Sequence, residues 1–256
     1  MKNVIFNTPD HKVVFFEELT PASAVQSNQV LIIHKDEGML LDPGGHKVFS
    51  KLLSDLSLYI PPSQIKYVFL SHQDPDIVAA LNGWLMTTPA YAYVSKLWLR
   101  FLPHFGLDSK LEERVIAIDD HGTVLTLGGD CKLYILPAHF LHSEGNFQVY
   151  DPCSKILFSG DLGASLGQDY FVVDSPQAFE SHIRYMEGFH KRYMASNKVL
   201  RFWANMVRQL DIDMIVPQHG AILKGKEVVN RFIEWLENLQ VGIDLLTQEH
   251  YKVPVG

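Results

Sequence analysis

Four short stretches of the chain carry residues able to bind a metal. The first, HQDPD, follows the apolar run IKYVFLS and sets His72, Asp74 and Asp76 at alternate positions. Imidazole and carboxylate are ligands for divalent first-row metals. In an extended backbone, side chains at i, i+2 and i+4 point to one face. Pro75 supports that conformation at Asp74, because a residue before proline is pushed out of the α region. Three more stretches, PAHFLHSEGN, FSGDLGAS and VPQHGAI, each follow an apolar strand and offer His139 or His142, Asp161, and His219 at its exit. A lone loop histidine is usually solvated or structural, and an aspartate after Ser-Gly is often a turn or cap residue. Four strand-end loops facing one edge point instead to a metal site. His11, His34, His46, His104, His121, His182, His190 and His250 remain as solvated or structural residues. Cys131 and Cys153 lack the spacing of a disulfide framework or a zinc clip and are expected as buried free thiols.

The elements that must position these loops read as short β segments over 13–19, 29–35, 38–42 and 65–71, with a helix around VFSKLLSDL. A second series covers 90–94, 114–119, 123–127, 132–137, 146–151 and 155–160. Helices are expected near 76–86 and 95–105, and a long one from Pro176 carries Phe179, Ile183, Met186, Phe189 and Tyr193 at three- and four-residue steps. Asp174 and Ser175 before Pro176 suit a helix start. The segment 213–217 is a last buried strand and 227–246 a last helix. With no repeat or linker in sight, residues 1–256 are expected to form one α+β domain: two sheets face to face with helices outside.

Composition narrows the function classes. Apolar residues make up 47% and charged residues 20%, the balance of a globular protein. The net charge of −7, with no Lys/Arg cluster, argues against nucleic-acid binding. No apolar run reaches the ~18 residues of a membrane span, and MKNVIFNTPD lacks the order of a signal peptide. A cytoplasmic location is the expectation.

The four loops together resemble those of the metallo-β-lactamase fold superfamily, whose hydrolases carry HxHxDH, a histidine in an HTxG context, a bridging aspartate after a strand, and a final histidine. The match is closer to the flavodiiron proteins and their oxygen-binding diiron relatives, which use HxExD in the first loop. The resemblance covers nearly the whole chain, from SNQVLIIHKDEGMLLD through HQDPD, HSEG and FSGDLG to IVPQHGAI. It implies an αββα sandwich of two mixed sheets. By the same resemblance, His72, Asp74, His142 and a bridging Asp161 would hold one metal, and Asp76, Asp161 and His219 the other. His142 is preferred to His139 because it alone has the H-x-x-G context, followed by the strand NFQVYD. The sequence departs from the pattern twice. Asp74 replaces the family's glutamate, and Ile77 stands where hydrolases place a second-metal histidine.

Three histidines with three aspartates suit iron, with zinc or manganese as substitutes. The resemblance implies two iron ions that bind O2 or NO. Complete reduction of O2 needs electrons beyond those of an iron pair, and no stretch for an FMN-carrying flavodoxin domain follows the last helix. An external electron donor or a signalling partner is therefore expected, and homodimerisation is compatible with the sequence. The rival reading is a dinuclear zinc hydrolase of esters, thioesters or lactones, in which a metal-held hydroxide attacks. Against it stand Asp74 and Ile77, the latter expected as an apolar wall beside an open metal position.

Overall fold

The computed structural model describes residues 4–21, 23–167 and 172–254, so the span 1–256 expected for the domain begins and ends outside the described residues. The first sheet contains β1 (Val4–Asn7), β2 (His11–Phe16), β3 (Gln29–His34), β4 (Glu37–Leu41), β5 (Ile65–Phe69), β6 (Tyr91–Ser95) and β7 (Val115–Ile118), in that spatial order. β1 to β4 are antiparallel, and β4 to β7 run parallel. The second sheet is built from β8 (Thr123–Leu127), β9 (Cys131–Pro137), β10 (Phe147–Asp151), β11 (Ile156–Gly160), β12 (Val172–Val173), β13 (Met214–Pro217) and β14 (Ile222–Lys224). Its order is β12-β14-β13-β11-β10-β9-β8, also mixed, with β11 parallel to β13.

Side-chain alternation along the strands builds the layers. In β2 and β3, Val13, Phe15, Val30 and Ile32 enter the core between the sheets, together with Phe147, Val149 and Phe158 of the second sheet. Their neighbours Val14, Phe16, Leu31 and Ile33 face the opposite way, against the helices α1 (His46–Leu56), α2 (Pro75–Val78) and α3 (Leu81–Thr87). A third core packs α4 (Pro176–Tyr193), α5 (Asn197–Val207) and α6 (Lys226–Asn238) on the outer face of the second sheet. Strands buried on both faces lose period-two alternation and read as continuous apolar runs. The αββα arrangement matches the expectation.

Several local expectations are corrected. The first expected strand ends at Phe16, and Glu18 lies at a positive φ of 58°. The helix expected over 76–86 is two pieces, α2 and α3, separated at Ala79 and Ala80. Residue 95 closes a strand, and only Leu99–Phe105 winds, as a 3-10 turn holding Pro103, since proline removes a donor that a longer helix would need. The last helix stops at Asn238, followed by a 3-10 turn over Gly242–Leu245. β1, β12, β14 and α5 were not expected. Ser175 caps α4 as anticipated, accepting from the Ala178 N–H at 3.3 Å. Among the described residues no helix is long and apolar enough to cross a membrane.

Trp84 locks α3 to the first sheet. It is fully buried, donates its indole N–H to the Pro43 carbonyl at 3.3 Å, and meets the Phe49 ring edge-on. Trp84→Ala leaves a large cavity and is expected to lower unfolding stability by about 3–5 kcal/mol in a denaturant titration.

Strand direction gathers the functional loops. The C-terminal ends of β5, β11 and β13 and the loop between β9 and β10 meet at one edge of the sandwich. Hydrogen bonds from Phe147 N to the Ser71 carbonyl at 2.9 Å and from Asn28 N to the Gln218 carbonyl at 2.6 Å join the sheets there.

Candidate metal centre

Six side chains converge at that edge in two groups that share one carboxylate. Asp161, on the turn after β11, directs Oδ2 toward His142 Nε2 at 3.3 Å and His72 Nε2 at 3.9 Å. Asp74 Oδ2 approaches the same two nitrogens at 3.4 and 3.6 Å, and the two Nε2 atoms are 3.1 Å apart. The other Asp161 oxygen, Oδ1, faces His219 Nε2 at 3.5 Å, and His219 in turn faces Asp76 Oδ2 at 3.6 Å. One group is therefore His72, Asp74, His142 and Asp161; the other is Asp76, His219 and Asp161.

The local backbone explains the split. Asp74 is extended (φ −66°, ψ 147°), as Pro75 requires. Pro75 is also the first residue of α2, a position its fixed φ suits. Asp76 sits in the first turn of that helix and aims at His219, so it does not share the face of His72 and Asp74. The helix also turns Ile77 inward. It is fully buried in the core beneath the first sheet's helices rather than on the cavity wall, which corrects the expectation of an apolar wall at this position.

Neighbouring groups orient these side chains. His219 Nδ1–H donates to the Gln26 carbonyl at 2.5 Å, and His72 Nδ1 pairs with Ser71 Oγ at 2.9 Å, which leaves both Nε2 atoms free to face the carboxylates. Ser143 Oγ donates to Gln73 at 2.6 Å, and Gln73 donates to Asp74 Oδ1 at 3.1 Å, turning Oδ2 toward the histidines. The Ser71 N–H donates to Asp42 at 2.8 Å; burial raises the Asp42 carboxyl to about 6. Behind the last loop, Gly220 has φ +82°, and a side chain there would collide with Ser165.

The donor set fits a pair of cations. Asp161 Oδ1 is buried without a hydrogen bond, and three imidazoles surround one carboxylate. Burial drives the Asp161 carboxyl up, but the charges of His72 and His219 outweigh it and bring it down to about 2. Burial lowers His219, while its contact with Asp161 more than compensates and lifts it to about 9. Asp76 is raised by burial, and Asp74 is held well below the usual range, as His142 and His72 outweigh its burial. A ligating histidine must be neutral, so a metal held at His219 would displace a proton throughout the range below pH ~9. Apparent metal affinity is therefore expected to fall by up to about tenfold for each pH unit below 9, measured by competition against a chelator of known affinity. In the metal-free protein the sign reverses. The His219–Asp161 pair contributes its full stability between about pH 4 and 6.5, loses it as pH rises through about 9, and loses it again as pH falls toward about 2, where Asp161 takes a proton.

A cavity of about 640 Å³ opens onto both groups, walled by Thr20, Val25, Val48, Leu166, Phe189 and Tyr193. Phe189, on the apolar stripe of α4, packs against the core beneath that helix and also brings its ring 6.2 Å from His142; Tyr193, at the end of the stripe, lies 5.7 Å from His142 and is half exposed. His46, assigned no site role in the sequence, also borders the cavity. His139 points elsewhere, its Nε2 2.8 Å from the Asp120 carbonyl, consistent with the preference for His142. Cys131 is buried as expected, but Cys153 is exposed.

Comparison with known proteins places this geometry in a family. Residues 25–220 match the family model described as "ODP family beta lactamase". The structure of the chemotaxis sensor ODP from T. denticola in its apo state is 41% identical, superposes with a TM-score of 0.84, and covers 94% of this chain and 96% of that one. A structure described as a peroxy diiron species of the chemotaxis sensor ODP is 42% identical, with the same TM-score and 94% and 97% coverage. A flavo-diiron protein from Thermotoga maritima shares the fold at 20% identity, with a TM-score of 0.75 over 91% of this chain and 59% of that one. Among curated sequences, diflavin flavoprotein A 1 of Synechocystis is 27% identical over 81% of this chain and 36% of its own length. The flavo-diiron protein FprA2 of Clostridium acetobutylicum is 25% identical over 77% of this chain and 49% of its own length. The chain thus spans about half or less of these curated relatives. With its αββα sandwich and its doubled His/Asp cluster, the chain belongs to the ODP family, in the flavodiiron-like branch of the metallo-β-lactamase fold.

Proposed function

We propose that the chain is a non-haem diiron protein that binds O2, and NO as an analogue, in order to report oxygen to a partner. His72, Asp74 and His142 would hold one iron, Asp76 and His219 the other, and Asp161 would bridge them. The observation that carries the proposal is the division of Asp161. Each of its carboxylate oxygens faces a different His/Asp group. Imidazole mixed with carboxylate suits iron, and a ferrous pair supplies the electrons with which a diatomic gas is held. The chain's own residues would do the rest. Gln73 and Gln218 hold the terminal carboxylates in place, the Gln218 amide donating to Asp76 at 3.2 Å, and the apolar cavity wall admits a small neutral ligand. The 42% identity to a chemotaxis sensor favours sensing. Reduction of O2 or NO fed by a separate electron donor is the second reading, supported by the flavodiiron relatives.

The test is to load the anaerobic protein with Fe(II) and titrate NO, following the iron–nitrosyl signal by electron paramagnetic resonance and infrared absorption. Iron–nitrosyl formation is expected. Absence of that signal, with turnover of an ester, thioester or lactone by the zinc-loaded protein, would contradict the proposal.

A further inference from the structure

The opposite edge of the sandwich carries a second cluster of ligand-type side chains. The turns joining β1 to β2, β3 to β4, β8 to β9 and β10 to β11 gather there, remote from the strand ends that hold Asp161 and His219. His11 at the start of β2, Cys131 at the start of β9, Asp151 at the end of β10 and Cys153 in the following turn each offer a donor atom within 4.8 Å of the others. His11 and Asp151 are buried to 4% and 0% exposure, and Cys131 to 2%. His11 belongs to the first sheet and the other three to the second.

We propose that these four residues form a second, structural metal site for a thiophilic d10 cation of the zinc type. The donor set is two sulfurs, one imidazole nitrogen and one carboxylate oxygen, and thiolate ligands select such ions over the hard cations that carboxylates prefer. The spacing agrees. Metal–sulfur bonds of about 2.3 Å and metal–nitrogen or metal–oxygen bonds of about 2.0–2.2 Å put sulfur roughly 3.6 Å from the other donors of a tetrahedron. Cys131 Sγ lies 3.9 Å from His11 Nδ1 and 3.9 Å from Asp151 Oδ1. The two sulfurs are 2.9 Å apart and must open by roughly 0.9 Å to reach tetrahedral spacing. Cys153 can make that movement, because it sits exposed in a turn.

The surroundings supply the supports that metal ligands need. Asp151 Oδ2 accepts from His11 Nε2 at 2.7 Å and from the Ser154 hydroxyl, and Oδ1 accepts from the Cys153 N–H at 3.0 Å. His34 Nδ1 is 3.1 Å from His11 Nδ1, and its Nε2 is 2.8 Å from Asp130. On metal binding His11 Nδ1 exchanges His34 for the cation, and His34 keeps Asp130. Four protein ligands leave no open position, so the site is structural: it clamps one sheet to the other at the edge away from the cavity.

The absence of sulfur from the first centre makes the two sites separable by spectroscopy. The full chain, kept anaerobic and reduced with a phosphine, is titrated with cobalt(II). An intense near-ultraviolet sulfur-to-cobalt charge-transfer band is expected. It should vanish in Cys131→Ser and in Cys153→Ser, the latter a mild change at an exposed turn, and persist in His142→Ala. No such band in the unsubstituted protein, or a band that survives loss of either cysteine, overturns the proposal. Either result leaves the diiron reading intact.

Discussion

Asp161→Asn is expected to empty both metal positions at once. Its two carboxylate oxygens face separate groups, His72 with His142 and His219, so one substitution weakens two sites. Partners that merely orient metal ligands are worth about 10–100-fold in affinity; loss of a bridging ligand is expected to cost more than about 100-fold at each position. Iron retained after anaerobic loading and desalting should therefore fall from two per chain to below one. The fold should survive, because the amide is nearly isosteric and removes a buried charge that only the imidazoles compensate. Far-ultraviolet circular dichroism is the control. Asp76→Asn, whose carboxylate faces one of the three proposed imidazole ligands, His219, should release a single iron.

His142→Ala and His139→Ala form the second test, and they are expected to differ sharply. The two histidines are three residues apart on one loop. His142 Nε2 points at Asp161, Asp74 and His72, whereas His139 Nε2 pairs with the Asp120 carbonyl. His142→Ala should lose one iron and the O2 response, leaving the second group occupied. His139→Ala should keep both irons and both spectra, at a cost of about 1 kcal/mol for the lost hydrogen bond. Equal iron loss in the two variants would contradict the ligand assignment.

All six proposed ligands stand within a few residues of the end of an apolar strand, and strand ends on one edge of a sandwich must meet. The two-layer arrangement was legible for the same reason: fourteen-residue stretches such as IKYVFLSHQDPDIV end a continuous apolar run on a polar cluster. The resemblance paired Asp76 with His219, whereas alternation along an extended backbone would have kept it beside Asp74. Pro75 both extends the residue before it and starts a helix after it, and only the second effect sends Asp76 to a different partner from Asp74. Ile77 was misplaced by the same turn of helix.

Other misses came from packing that periodicity does not encode. Phe189 and Tyr193 follow the apolar stripe of α4, yet both also line the cavity beside His142, Phe189 while packing on the core as well. The second cluster was invisible because its members lie far apart in the chain. His11 and Asp151 are 140 positions apart and come together only when two sheets close on each other. A Cys-x-Cys or Cys-x-x-Cys spacing would have announced it, whereas cysteines on neighbouring antiparallel segments do not. The short strands β1 and β14 and the helix α5 carry too few residues, or too weak a break from α4, to stand out.

The central claim is that two irons share Asp161 and hold O2. The direct measurement is iron stoichiometry together with the optical spectrum of the anaerobically Fe(II)-loaded protein before and after exposure to O2. The account predicts two irons per chain, a colourless ferrous form, and a visible charge-transfer band that appears with O2 and is absent in Asp161→Asn. A protein that takes up two zinc ions in preference to iron and stays colourless in O2 would contradict it.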